Sequence, residues 1–143
     1  MAEKESTDRR DADKVTGGRP QMGKHVLLIE DEPNIIEAIR FILERDGWRV
    51  STHSDGADAV EAVGAHRPDV VILDVMLPNR SGFDILKELR GHDGTAALPV
   101  LMLTAKGQSR DRALAESVGA SRFMTKPFSN QEVLASVREL TGG

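Results

Sequence analysis

The chain has 143 residues, a formal net charge of −4 and no cysteine. That length suffices for one domain with its own core. The missing thiols exclude disulfides and thiolate metal sites, and the mild acidity offers no electrostatic footprint for nucleic acid, so no direct nucleic-acid contact is expected.

No apolar run reaches the roughly 20 residues that span a bilayer, and the first residues lack the apolar stretch of a secretory signal. The expectation is a cytoplasmic protein with no membrane partner. Residues 1–23 mix both charge signs with Gly and Pro and carry almost no large apolar side chains. They cannot bury enough surface to order themselves, which predicts a disordered extension ahead of one domain over residues 24–142.

From Lys24 onward, short apolar runs alternate with segments of helical period. HVLLI (25–29) reads as a strand and ends in Glu30-Asp31; a helix is predicted over 34–47. WRVSTH (48–53) precedes a helix over 55–67. DVVIL (69–73) runs into Asp74, and a helix over 82–92 follows a Pro/Asn/Gly-rich turn. PVLML (99–103) ends in Thr104 and leads to a helix over 109–120, and RFMT (122–125) ends in Lys126-Pro127 before a helix over 129–140. Ser81 with Asp84, and Ser129 with Glu132, have capping-box spacing and predict two of the helix starts. Strand and helix alternation with near-continuous apolar strands implies an α/β fold, a parallel sheet with helices on both faces. In such a sheet the ligand site lies outside the carboxyl ends of the strands.

The polar residues gather at the ends of the apolar runs. Glu30, Asp31, Asp74, Thr104 and Lys126 all project from one edge if the strands are parallel. Three converging carboxylates repel one another unless a cation sits among them. Mg²⁺ suits such a site, being a hard ion that takes a few carboxylates and keeps several waters. With a lysine and a hydroxyl to meet phosphoryl oxygens, the set is that of phosphoryl transfer, and Asp74, between buried strand and tight turn, is the best-placed nucleophile for an aspartyl phosphate.

The segments IEDEPN (29–34), LDVMLPNRSGFDIL (73–86), LTA (103–105) and FMTKPF (123–128) resemble the receiver domains of two-component response regulators over about Lys24 to Leu140. The resemblance implies a flavodoxin-like doubly wound sheet of strand order 2-1-3-4-5. It implies that Asp74 is the phosphoacceptor, that Thr104 and Lys126 contact the phosphoryl group, and that Mg²⁺ (or Mn²⁺) meets Glu30, Asp31, Asp74 and the backbone carbonyl of Met76. It further implies a conformational switch through Thr104 and Phe123, a cis peptide before Pro127, and tuning of acyl-phosphate lifetime by Met76 and Lys106, with a slow to moderate lifetime expected for Met76. Partners would be a sensor histidine kinase or histidine phosphotransfer protein and a downstream protein target. Two residues depart from the commonest pattern. Glu30 replaces an aspartate and is expected to hold the metal through water; Phe123 lacks the hydroxyl of the frequent tyrosine, so its switch must work by packing.

Along the first helix, with Ile35 as zero, Ala38, Ile39 and Ile42 form the expected core stripe, and Ile36 and Leu43 stand roughly 90° away as a candidate partner-docking surface. His25, His53, His66 and His92 share no ligand spacing and read as surface or structural residues. The chain reaches little beyond the last helix, so the expected role is a single-domain regulator that signals through another protein rather than an enzyme. A phosphorelay intermediate or phosphate sink, or a receiver fragment of a longer regulator, are the alternatives; passing phosphate onward without gaining a partner would distinguish the first of these. A haloacid-dehalogenase-like phosphatase is remote, because the second acid expected two residues after its nucleophile is Met76 here.

Overall fold

The computed structural model describes residues 24–105 and 109–142. The extension expected over 1–23 and the residue Lys106 lie outside the described residues. Chain order is β1 (His25–Ile29), α1 (Pro33–Arg45), β2 (Arg49–His53), α2 (Ala59–His66), β3 (Val70–Asp74), α3 (Gly82–Arg90), β4 (Val100–Ala105), α4 (Ser109–Ser117), β5 (Arg122–Lys126) and α5 (Asn130–Thr141). All strand pairs are parallel, in the order β2-β1-β3-β4-β5.

The strands read as unbroken apolar runs because both faces of the sheet are covered. Side chains alternate across a strand, so Val26, Leu28, Val70, Ile72, Leu101 and Leu103 pack with Ile39, Ile42, Leu43, Val133 and Val137 of α1 and α5. The intervening Leu27, Ile29, Val71, Leu73, Val100 and Met102 pack on the other face with Val63, Ile85, Leu86, Leu89 and Ala115 of α2, α3 and α4. His25 and Trp48 are buried. The His25 imidazole pairs with Ser51 Oγ at 2.7 Å, and burial pushes its pKa down to about 4.

Local signals hold with two corrections. At α5 the full capping box forms: Glu132 N–H donates to Ser129 Oγ (3.1 Å) and Ser129 N–H to Glu132 Oε1 (2.9 Å). At α3 it does not. The Ser81 hydroxyl is taken by the second helical N–H, that of Phe83 (3.0 Å), so Ser81 is a single N-cap and Asp84 makes no return bond. Along α1 the buried stripe is Ile39, Ile42 and Leu43, with Ile35 and Ile36 half-buried against it and Ala38 exposed. Leu43 is therefore a core residue and cannot dock a partner. The large side chains set the centre of the stripe: centred on Ile39, Leu43 lies only about 40° off and Ala38 about 100° off.

Gly82, the first residue of α3, sits directly behind the end of β3 and donates its N–H to the Val75 carbonyl (2.9 Å). A Cβ there would overlap the Asp74 carbonyl oxygen and lie 2.9 Å from Val75 Cα. Backbone atoms cannot retreat cheaply, so Gly82→Ala is expected to cost about 1–3 kcal/mol in urea-denaturation stability and to move the Asp74 and Val75 amide resonances. Wild-type stability with unmoved amides would refute this close approach.

Candidate functional site

Parallel register brings the predicted residues to one edge. Ile29 pairs with Leu73, so Glu30 and Asp74 leave the sheet side by side; Asp74 pairs with Leu103, and Ala105 with Lys126. Ligand oxygens of Glu30, Asp31 and Asp74 all fall within 4.8 Å of one another. Lys126 Nζ closes the cluster from β5, 3.1 Å from Glu30 Oε1 and 3.4 Å from Asp74 Oδ1. The Lys126–Pro127 peptide is cis.

Glu30 and Asp74 are buried and Asp31 is exposed. Glu30 Oε2 accepts the N–H groups of Asp31 (3.1 Å) and Glu32 (3.0 Å), whereas Glu30 Oε1 is buried beside the Lys126 ammonium and accepts no hydrogen bond among the described residues. Thr104 Oγ1 is likewise buried and unpartnered among the described residues. Such groups are costly unless a ligand completes them. Met76 N–H donates to Asp74 Oδ1 (3.3 Å), and its side chain, 73% exposed, stands at the mouth of the site. The three carboxylates form a hard-donor set that suits Mg²⁺ rather than a softer metal.

Electrostatics follow burial. Burial pushes the Glu30 carboxyl up to about 7, opposed by the Glu32 N–H and reinforced by the Asp74 charge. Burial also raises Asp74, against the pull of Lys126 and the Met76 N–H. Burial alone would lower Lys126, but its hydrogen bond to Glu32 and the nearby carboxylates of Glu30 and Asp74 outweigh that and raise it.

Of the other predicted residues, Phe123 is half-buried against the α2–α3–α4 face, with the Arg112 guanidinium 4.8 Å from its ring centroid. Ile36 is half-buried, and the exposed large apolar side chain of α1 is Phe41, 61% exposed and near Arg45, which the helical wheel did not single out. Sequence reasoning also passed over Glu32, whose Oε1 takes a 2.9 Å hydrogen bond from Lys126 Nζ. The signal was available: a third acid stands directly after Glu30-Asp31.

A strand-edge cluster of this composition on a 2-1-3-4-5 sheet is what the sequence resemblance implied, and comparison with known proteins decides it. The family model for the response regulator receiver domain matches residues 26–138. The chain belongs to that family. Relatives include the probable transcriptional regulatory protein TcrX of Mycobacterium tuberculosis, 44% identical over 115 residues covering 80% of this chain and 48% of the relative. The alkaline phosphatase synthesis transcriptional regulatory protein PhoP of Bacillus subtilis is 41% identical over 119 residues, covering 83% and 49%. The chain thus spans about half the length of these relatives. Among solved structures, a response regulator of Chloroflexus aurantiacus superposes with a TM-score of 0.81 at 30% identity, covering 84% of this chain and 98% of that one. The receiver domain of sensor histidine kinase PA1611 from Pseudomonas aeruginosa, solved with a magnesium ion coordinated in its active site cleft, gives 0.77 at 29% identity and covers 85% and 99%. Among the described residues of this receiver no helix is long and apolar enough to cross a membrane.

The raised Glu30 carboxyl makes stability pH-dependent. Its folded-state pKa lies above the unfolded value of 4.5, so the penalty is absent at lower pH, grows as pH rises, and is complete above about 7. In EDTA, Glu30→Gln should gain stability over wild type between pH 5 and pH 8. The gain is at most about 3 kcal/mol, at about 1.4 kcal/mol for each tenfold change in proton affinity, and chemical denaturation across that window measures it. A difference that is flat with pH would contradict the assignment.

Proposed function

We propose that Asp74 of this receiver accepts a phosphoryl group from a phosphohistidine on a sensor histidine kinase or histidine phosphotransfer protein. The observation that carries this reading is a buried carboxylate at the sheet edge, within 4.8 Å of two further acids and 3.4 Å from a lysine ammonium. An Asp74 oxygen forms the new bond to phosphorus while the bond to the imidazole nitrogen breaks and its electron pair returns to the ring. Lys126 meets the charge on the transferred oxygens. The orphaned Thr104 hydroxyl donates to one of them.

Asp31, Asp74 and the Met76 carbonyl would hold Mg²⁺ (or Mn²⁺) directly, with Glu30 acting through water. When bound, the ion neutralises charge on the phosphoryl oxygens. Once phosphorylated, Thr104 turns toward the phosphate and Phe123 packs inward, giving up its contact with Arg112 and altering the α4–β5–α5 surface that a target reads. Phe41 replaces Leu43 as the side chain of α1 open to a kinase or phosphotransfer helix. TcrX and PhoP are named as transcriptional regulators. By analogy this receiver reports to transcription, so the expectation of no nucleic-acid contact is confined to the receiver's own surface.

Incubation with acetyl phosphate and Mg²⁺ should add one phosphoryl mass to wild type and none to Asp74→Ala or to wild type in EDTA, read by intact mass. An adduct that persists in Asp74→Ala, or without metal, overturns the assignment. Thr104→Ala should still accept phosphate, yet its amide resonances in α4, β5 and α5 should shift far less on phosphorylation than those of wild type. A full response would place the switch elsewhere.

A further inference from the structure

We infer that Glu32 is a positioning residue that competes with the incoming phosphoryl group for Lys126; this rests on the phosphoacceptor reading above. Lys126 Nζ faces three carboxylates, but only the contact to Glu32 Oε1, at 2.9 Å, has hydrogen-bonding geometry. The contacts to Glu30 and Asp74 are longer, at 3.1 and 3.4 Å.

Among the described residues, Lys126 is the only hydrogen-bond partner of the Glu32 carboxylate. Glu32 occupies the N-cap position of α1, yet its carboxylate caps no helical N–H. Its backbone is already engaged, the N–H with Glu30 Oε2 and the carbonyl with Ile36 N–H. The side chain instead reaches across the mouth of the site, from the β1–α1 loop to the end of β5. A phosphoryl group arriving at Asp74 brings more negative charge than any one of these carboxylates. Lys126 then pivots from Glu32 to the new oxygens, and Glu32, largely exposed, returns to water. Until that happens Glu32 both occupies the cation and repels the donor, so it sets a brake on phosphorylation.

The reaction with acetyl phosphate tests this. An Asp74 oxygen forms the bond to phosphorus, the bond from phosphorus to the acetyl oxygen breaks, and acetate leaves with its electron pair. Initial rates of adduct formation, by intact mass at subsaturating donor, should rise about two- to fivefold in Glu32→Gln, the range an exposed ion pair supports. Glu32→Asp keeps the charge but shortens the reach, and should be faster than wild type as well. In a Lys126→Gln background Glu32→Gln should have no effect. Independently, NMR in EDTA should show the Lys126 side-chain carbon resonances shifted in Glu32→Gln with thermal stability unchanged. This readout decides the matter if Lys126→Gln reacts too slowly to time. A Glu32→Gln rate equal to wild type, a Glu32→Asp rate equal to wild type, a Glu32→Gln acceleration that survives in Lys126→Gln, or unmoved Lys126 resonances would each overturn the inference. Each would leave the phosphoacceptor reading intact. A wild-type protein that forms no adduct on Asp74 would sink both together.

Discussion

Two carboxylates buried side by side at the end of a parallel sheet are the constraint on which the rest of this structure depends. Asp74 and Glu30 lie where burial disfavours their charged forms, and the Asp74 charge raises Glu30 further, while Glu30 and Lys126 pull Asp74 part of the way back. A protein optimised only for stability would replace one of them with an apolar residue. Instead the surroundings offset part of the penalty piecemeal: two backbone N–H groups on Glu30 Oε2, the Met76 N–H on Asp74, and the Lys126 ammonium against both. The compensation is incomplete, since among the described residues Glu30 Oε1 accepts no hydrogen bond and the neighbouring Thr104 Oγ1 has no partner.

Holding such a cluster requires a rigid edge, and the fold supplies it from the backbone outward. Strand register fixes the spacing between Glu30, Asp74, Thr104 and Lys126, because their neighbours Ile29, Leu73, Leu103 and Ala105 are locked in the sheet. The loop after β3 is then pinned from outside. Gly56 N–H donates to the Pro78 carbonyl (3.0 Å), and Asn79, in the left-handed region at φ 70°, donates from Nδ2 to the Asp55 carboxylate (3.0 Å). Asn tolerates that conformation better than most residues. Gly82 lets α3 begin in contact with the Asp74 backbone. The turn therefore has little freedom to carry Asp74 away from its neighbours.

Much of this was legible in the sequence, for identifiable reasons. Continuous apolar strands signalled a sheet covered on both faces, and the residue after each run gave the site, because a parallel sheet sends those residues to one edge. What stayed hidden depended on side-chain choices that periodicity does not encode. The spacing of Ser81 and Asp84 equals that of Ser129 and Glu132, yet only the second pair closes reciprocally. On α1, weighting Ala38 like an isoleucine rotated the predicted stripe and put Leu43 outside a core in which it is fully buried. Glu32 stands beside the predicted acidic pair, but its pairing with Lys126 was hidden because the partner lies 94 residues away. The Asp55–Asn79 link, across 24 residues, was hidden for the same reason.

The incompleteness of the site is also what would let it act as a switch. Moving a two-state equilibrium from 1:99 to 99:1 takes about 5.5 kcal/mol of differential stabilisation. An unpartnered buried hydroxyl such as that of Thr104 costs about 1–3 kcal/mol, which a phosphoryl oxygen in hydrogen-bonding reach can return. A charge-assisted bond to Lys126 is stronger than a neutral one. Set against these gains would be the loss of the Arg112 contact over Phe123 and of the exposed Glu32 pair, interactions worth roughly 0.5–1 and 0.2–1 kcal/mol at solvent-accessible sites. On the proposed mechanism, the terms that would favour the phosphorylated arrangement are buried and strong, and those that would hold the resting one are exposed and weak. A receiver built this way can rest in one state without being trapped there.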